Sequence, residues 1–311
     1  MAMTGSEYAS LTLGPLLFNW APERKRDFYF RMADEAPVDR VYLGEVVCSK
    51  RAPFFDPFLP EVMERLESAG KTVAISTLAL ATSARELAAL RDLASGGDTL
   101  IEANDAAALS LLAGRPHAVG PFVNVYNEGT LRCLARRGAQ RIALPVEISA
   151  GALAALAPVA AEERIELEVQ VFGRLPLAIS ARCYHARAHG LHKDGCQYVC
   201  GADPDGLAVE TLDGNGFLAV NGTQTLSHGV VNLAAEIPAL RRIGINGFRL
   251  SPHSVDMVAV ARLIREVLDG RKGALWAREQ IARLVPFAPC VNGFYHGIEG
   301  AAFIAGNQPG P

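Results

Sequence analysis

Apolar residues recur along this chain in two alternating rhythms. Short runs rich in β-branched and aliphatic side chains occupy residues 11–18, 38–46, 71–80, 98–104, 117–126, 141–149, 165–173 and 246–252. Between them lie stretches with apolar side chains at i, i+3 and i+4, such as DPFLPEVMERLESAG at 56–70, SARELAALRDLASGG at 83–97 and AGALAALAPVAAEER at 150–164. The first rhythm predicts strands and the second amphipathic helices. Ser83 and Asp105 stand where helix caps are expected, and Gly70 and Gly138 where helices should stop. The strand runs are nearly continuous in apolar residues, as strands covered on both faces must be, and this favours parallel pairing.

Eight such strand–helix units predict an α/β fold of the (β/α)8 TIM-like barrel type. A doubly wound open sheet is the rival, but no G-x-G-x-x-G follows the first strand. The rhythm fails once, over residues 174–228, where no strand–helix unit is legible apart from a hairpin-like LAVETLDGNGFLAVNGTQTLS turning at Asp213–Gly216. The expected organisation is therefore one barrel domain over residues 1–311, distorted by an insertion at 174–228. An insertion after the seventh strand belongs at the C-terminal face of the barrel, where active sites of this architecture lie, and an irregular segment of that length is usually functional.

Charge narrows the possible partners. A formal net charge of -3 over 311 residues argues against a nucleic-acid surface or a polybasic membrane anchor. The first residues lack the basic and apolar regions of a secretory signal, and no apolar run approaches the ~18 residues of a membrane span. A cytoplasmic, reducing location is the expectation, and there clustered cysteines more often hold metal than form disulfides.

The insertion contains RCYHARAHGLHKDGCQYVC, residues 182–200, which holds three of the six cysteines. Cys48 lies just beyond the second strand, on the same barrel face as the end of the seventh. It can therefore join Cys183, Cys196 and Cys200 around one point. Four thiolates suit a structural zinc or an iron–sulfur cluster. Zinc sites favour two short chelates and this chain has one, so the looser spacing suits a larger cluster, whose negative charge Arg182, Arg187 and Lys193 would offset. A zinc site from His185, His189 and His192 with Cys183 is the alternative. Cys133 and Cys290 are expected in the core. Asn19, Asn124, Asn127 and Glu147 stand at strand ends; Asn124 and Asn127 could bind polar substrate groups or serve as loop caps, and Glu147 could contact a substrate or form a structural salt bridge. Glu45, Glu168 and Arg249 are the candidate catalytic groups, with a Glu168–Arg249 ion pair inside the barrel as the structural alternative. Strand alternation would point Glu45 and Cys48 to different faces.

The segments VYLGEVVCSKR, EVQVFGRLPLAISARCYHARAHGLHKDGCQYVC and LAVNGTQTLSH resemble the collagenase-like U-type peptidase family and, within it, the UbiV branch of oxygen-independent ubiquinone biosynthesis. The resemblance implies a [4Fe-4S] cluster on Cys48, Cys183, Cys196 and Cys200. It also implies a heterodimer with a homologous UbiU-like subunit, help from a UbiT-like lipid-binding protein, and hydroxylation of an isoprenylated aromatic quinone precursor without dioxygen. Peptidase activity is not expected, because neither G-x-S-x-G nor H-E-x-x-H occurs. A binding or assembly protein stapled by metal, or a hydrolase of the peptidase type, is the competing expectation.

Overall fold

The computed structural model describes residues 8–305. Its strands are β1 (Ser10–Leu13), β2 (Arg40–Leu43), β3 (Thr72–Ser76), β4 (Leu100–Ala103), β5 (His117–Val119), β6 (Ala139–Ala143) and β7 (Glu166–Ile179), followed by β8 (Leu207–Glu210), β9 (Gly216–Asn221), β10 (Gln224–Asn232), β11 (Gly247–Leu250) and the short β12 (Cys290–Val291). From β1 to β7 each strand pairs with the next, and β11 closes the ring by pairing in parallel with both β7 and β1. The molecule is an eight-stranded parallel barrel with helices between its strands. The strands are shorter than the apolar runs, because several runs continue into the loops that follow them.

One face of the strands packs outward. Leu11, Leu13, Val41, Leu43, Val73, Ile75, Ile142, Phe248 and Leu250 share a single core with helix residues such as Tyr29, Leu66, Leu153 and Ile264. The alternate positions turn inward, and several are polar: Thr12, Ser76, Glu102, Arg141, Glu168 and Arg249 are all buried. Arg249 on β11 bonds Glu102 on the non-adjacent β4, a contact that crosses the barrel interior. It also donates from Nε to Glu168 at 3.1 Å and lies 4.4 Å from the centroid of the Tyr42 ring. Arg141 approaches Glu168 at 3.5 Å, and Ser76 donates to Glu102 at 2.6 Å. Removing either sign from such a set would strand a buried charge, which is why these groups occur together.

The helices begin where the sequence predicts. Ser83 and Glu86 form a reciprocal capping box at the start of Ala84–Ser95, and Asp105, Asn127 and Ser149 cap later helices through side-chain oxygens. Among the described residues no helix is long and apolar enough to cross a membrane.

Strand β7 does not end near residue 173; it runs on to Ile179, leaving the barrel to pair antiparallel with β10 from Phe172 to Ile179. Beyond it, β8, β9 and β10 form two successive hairpins. The extension is possible because β10 supplies hydrogen bonds to the part of β7 that no barrel strand can reach. A small sheet thus stands on the C-terminal rim and carries the segment between residues 180 and 206.

Candidate functional site

Cys48, Cys183, Cys196 and Cys200 line one small pocket with Lys50, Arg51, Ala186, Lys193, Tyr198, Val199 and Gly222. Two distant pieces of chain build it. The first is the turn after β2. Gly44 ends that strand at φ +106°, so close to β3 that a Cβ would lie 2.5 Å from the Ser76 carbonyl oxygen. The turn then folds over Glu45, whose Oε1 accepts the Val47 and Cys48 backbone N–H groups at 2.9 and 3.0 Å. Glu45 therefore shapes the Cys48 turn. The expectation that the two residues point to opposite faces fails, because the strand has already ended at Leu43.

The second piece is the insertion. Cys183 caps the short helix Tyr184–Ala188, its sulfur accepting the Ala186 N–H at 3.4 Å. Cys200 lies in the turn Val199–Ala202 and accepts from Asn19 Nδ2 at 3.4 Å. Between Cys196 and Cys200, Gln197 and Tyr198 both adopt positive φ, 50° and 55°. A left-handed pair of non-glycine residues costs on the order of 1 kcal/mol or more each, so the surroundings must enforce it. The Tyr198 ring packs edge-on against Phe54, 4.8 Å between centroids.

Three sets of contacts lock the pieces together. Lys50 donates to the Lys193 carbonyl at 2.7 Å and to Asp194 at 3.1 Å. Thr223 donates to the Val47 carbonyl at 2.7 Å. Arg51, almost fully buried, donates to the Leu17 carbonyl at 3.1 Å and to Asn221 Oδ1 at 2.7 Å. At Gly222, φ +69°, a Cβ would lie 2.2 Å from Arg51 Nη2, so only glycine leaves the guanidinium its place beside the sulfurs.

Burial dominates the electrostatics of the thiols. Burial pushes the Cys48 and Cys183 thiols up. Burial also works against the charge on Arg51, yet Glu45, Cys200 and Cys48 outweigh it and raise that group further. Spacing bears on what the pocket can hold. Four thiolates around one zinc ion at ~2.3 Å would stand about 3.8 Å apart. Among the described residues, no three of these sulfurs come within 4.8 Å of one another. Four cysteine sulfurs are a donor set for a structural zinc or an iron–sulfur cluster.

Other expected groups fall elsewhere. Arg182 and Arg187 are exposed and do not line the pocket, so the cations facing the sulfurs are Lys50, Arg51 and Lys193. Arg51, three residues after Cys48, could have been noticed from the sequence. Cys133 is exposed on the helix Glu128–Arg136 rather than in the core, and Cys290 is half-buried on β12, away from the pocket. Glu168 and Arg249 lie inside the barrel and bond each other, whereas Glu45 belongs to the cysteine turn. His192 is exposed, while His185 and His189 approach Asp203, which no sequence signal marked.

A larger cleft of about 360 Å³ opens on the same rim, lined by Leu80, Phe122, Asn124, Tyr126, Glu147, Leu177 and their neighbours. Tyr126 donates to Glu147, and burial together with this contact pushes the phenol up. Asn127 takes the capping role, accepting the Thr130 N–H at 2.9 Å. One small apolar cluster touches both: Leu17, Val46 and Val47 pack with Cys48 of the pocket and with Ala79 and Phe122 of the cleft.

Two solved structures resemble the chain. One, described as a fructose-1,6-biphosphate aldolase from Coccidioides immitis, is 12% identical over 91% of both chains, with a TM-score of 0.43. The other, a phospho-2-dehydro-3-deoxyheptonate aldolase from Thermotoga maritima, is 11% identical over 92% of this chain and 72% of that one, with a TM-score of 0.46. The barrel assignment rests on the strand register above rather than on these scores. The sequence itself matches the profile of peptidase family U32 over residues 29–301, a span that includes both cysteine segments and all eight barrel strands except β1. The chain belongs to peptidase family U32.

Proposed function

We propose that the four-cysteine pocket holds a [4Fe-4S] cluster and that the protein is the iron–sulfur subunit of an oxygen-independent hydroxylation in ubiquinone biosynthesis. One observation carries this: four cysteines from two distant segments converge on one pocket beside a buried arginine, with no three of their sulfurs within 4.8 Å of one another. Cys48, Cys183, Cys196 and Cys200 would ligate the cluster, which would supply one-electron redox chemistry when bound. Arg51 offsets its negative charge, and the Asn19 amide and Ala186 N–H donate to its ligand sulfurs. The neighbouring cleft exposes mostly polar surface, with Asn124, Tyr126 and Glu147 beside Phe122 and Leu177, and suits the polar, aromatic end of an isoprenylated quinone precursor rather than its hydrophobic substituent. The sequence resemblance adds a homologous UbiU-like partner and a UbiT-like protein to shield the isoprenoid tail, which exposes about 0.8 kcal/mol of unfavourable surface per CH2 in water.

Deleting the protein from its host, followed by quinone extraction from cultures grown with and without oxygen, tests the assignment. The expected result is loss of ubiquinone only in the anaerobic culture, restored by the wild-type chain and not by Cys200→Ala. An equal defect in both cultures, or full rescue by Cys200→Ala, would overturn it.

A further inference from the structure

We infer that His185, His189 and Asp203 form a second, mononuclear metal site for a divalent first-row transition ion, behind the cysteine pocket. The inference stands on its own geometry and holds whether or not the cysteines bind a cluster. His185 and His189 are one helical turn apart, the second at the C-terminal cap of Tyr184–Ala188. Residues at i and i+4 share a face, and here the two rings lie parallel within 7°, 5.2 Å between centroids. Asp203 follows the turn that carries Cys200, and its carbonyl is held by Asn221 Nδ2 at 2.8 Å. One ligand atom from each of the three lies within 4.8 Å of the other two.

Protons on the rings decide what these atoms can do. Nδ1 of His185 is 3.1 Å from the Val220 carbonyl and Nδ1 of His189 is 3.0 Å from the His185 carbonyl. A carbonyl only accepts, so in each neutral ring Nδ1 carries the hydrogen and Nε2 presents its lone pair. Backbone carbonyls orient metal-bound imidazoles in the same way. Nε2 of His185 is fully buried and makes no hydrogen bond, although Asp203 Oδ2 is only 3.1 Å away. Two acceptors at that separation repel unless a cation lies beside both, and the contact lacks the geometry of an N–H donor. A metal ion off the line between them, reached from the exposed His189, satisfies all three groups. Two imidazoles and one carboxylate suit zinc or iron(II) rather than calcium or magnesium, and leave coordination positions open for water or substrate.

Cobalt(II) tests this, titrated into the full-length, iron-free protein under anaerobic conditions and followed by absorption and calorimetry. The wild type should bind one cobalt that shows ligand-field bands without thiolate charge transfer. That cobalt should persist in Cys48→Ala. His189→Ala, which alters an exposed side chain, and Asp203→Asn should each weaken it by at least ~10-fold, the loss that even outer-sphere changes produce at metal sites, with unchanged far-ultraviolet circular dichroism. Wild-type affinity in both variants, or bound cobalt seen only with thiolate charge transfer, would overturn the assignment.

Discussion

The barrel interior and the insertion on its rim both bury polar groups, and they bury them differently. Inside the barrel, Glu102, Glu168, Arg141 and Arg249 face one another and neutralise one another. On the rim, the sulfurs of Cys48 and Cys183 are held up as thiols and Nε2 of His185 has no hydrogen-bond partner. A buried charge already matched by its neighbours is part of the scaffold. A buried ring nitrogen without a hydrogen-bond partner, as at His185, can take a ligand instead. By this criterion Glu168 and Arg249 already hold each other inside the barrel, and the rim is the place we propose for the site.

The contrast can be broken by experiment. The largest effect is expected at the rim: after anaerobic reconstitution the wild type should carry about four irons and four sulfides per chain, and Cys48→Ala or Cys196→Ala should lose most of them. Cys133→Ala, at an exposed position, and Cys290→Ala should retain them, as metal and sulfide analysis would show. Equal losses from all substitutions would erase the distinction between these sulfurs and any others.

In the barrel the readout is stability. Glu168→Gln removes one sign from the interior set and leaves Arg249 and Arg141 undercompensated, so urea unfolding should show a loss of ~3–5 kcal/mol with iron binding per folded chain unchanged. A cost below ~1 kcal/mol would mean that these charges do not depend on each other.

A finer test concerns Arg51, the charge that faces the sulfurs. Arg51→Met should lower the reduction potential of a bound cluster, since the buried cation favours the incoming electron; a redox titration followed by electron paramagnetic resonance measures it. Arg182→Glu, at an exposed side chain, should shift it less. A larger shift from Arg182 would invert the assignment of the two arginines.

The smallest effect lies at the hinge between the two regions. Glu86 caps the helix Ala84–Ser95 and also accepts from Ser49, the residue after Cys48, at 2.6 Å. Burial pushes its carboxyl up, but hydrogen bonds from Ser49, Thr82 and Ser83 outweigh this and bring it down to about 2 from 4.5. The folded state thus favours the carboxylate. Its contribution is complete above about pH 4.5 and is lost as the pH falls from there to about 2. Glu86→Gln should flatten the wild type's pH dependence in that window, seen in thermal melts, and Ser83→Ala should cost ~1 kcal/mol at neutral pH. An unaltered acid profile in Glu86→Gln would show that the carboxylate is not tied to Ser49 in solution.

Much of the barrel was legible because its causes are local. Apolar runs, Ser83, Asp105 and Gly70 mark strands and helices through side-chain periodicity and cap chemistry, both of which act within a few residues. The four cysteines were legible as a set because their residue type is rare and their chemistry narrow. Less legible was whatever depends on distant partners. Strand β7 runs past residue 173 because β10 pairs with it, some fifty residues on. Glu45 turned toward Cys48 because Gly44 ends the strand early, and the exposure of Cys133 follows from which helical face meets the barrel.

The order of strands and helices, their caps and the supply of thiols are therefore properties of the sequence itself, since each rests on the preferences of neighbouring residues. Which of those groups meet was decided by the closed barrel and the sheet on its rim. Closure brought Glu102 and Arg249, 147 residues apart, to opposite sides of one interior. The rim hairpins carried Cys200 to Asn19 and Asp203 to His185. Burial then made each meeting consequential, because away from water a polar group must find its partner in the protein or in a ligand.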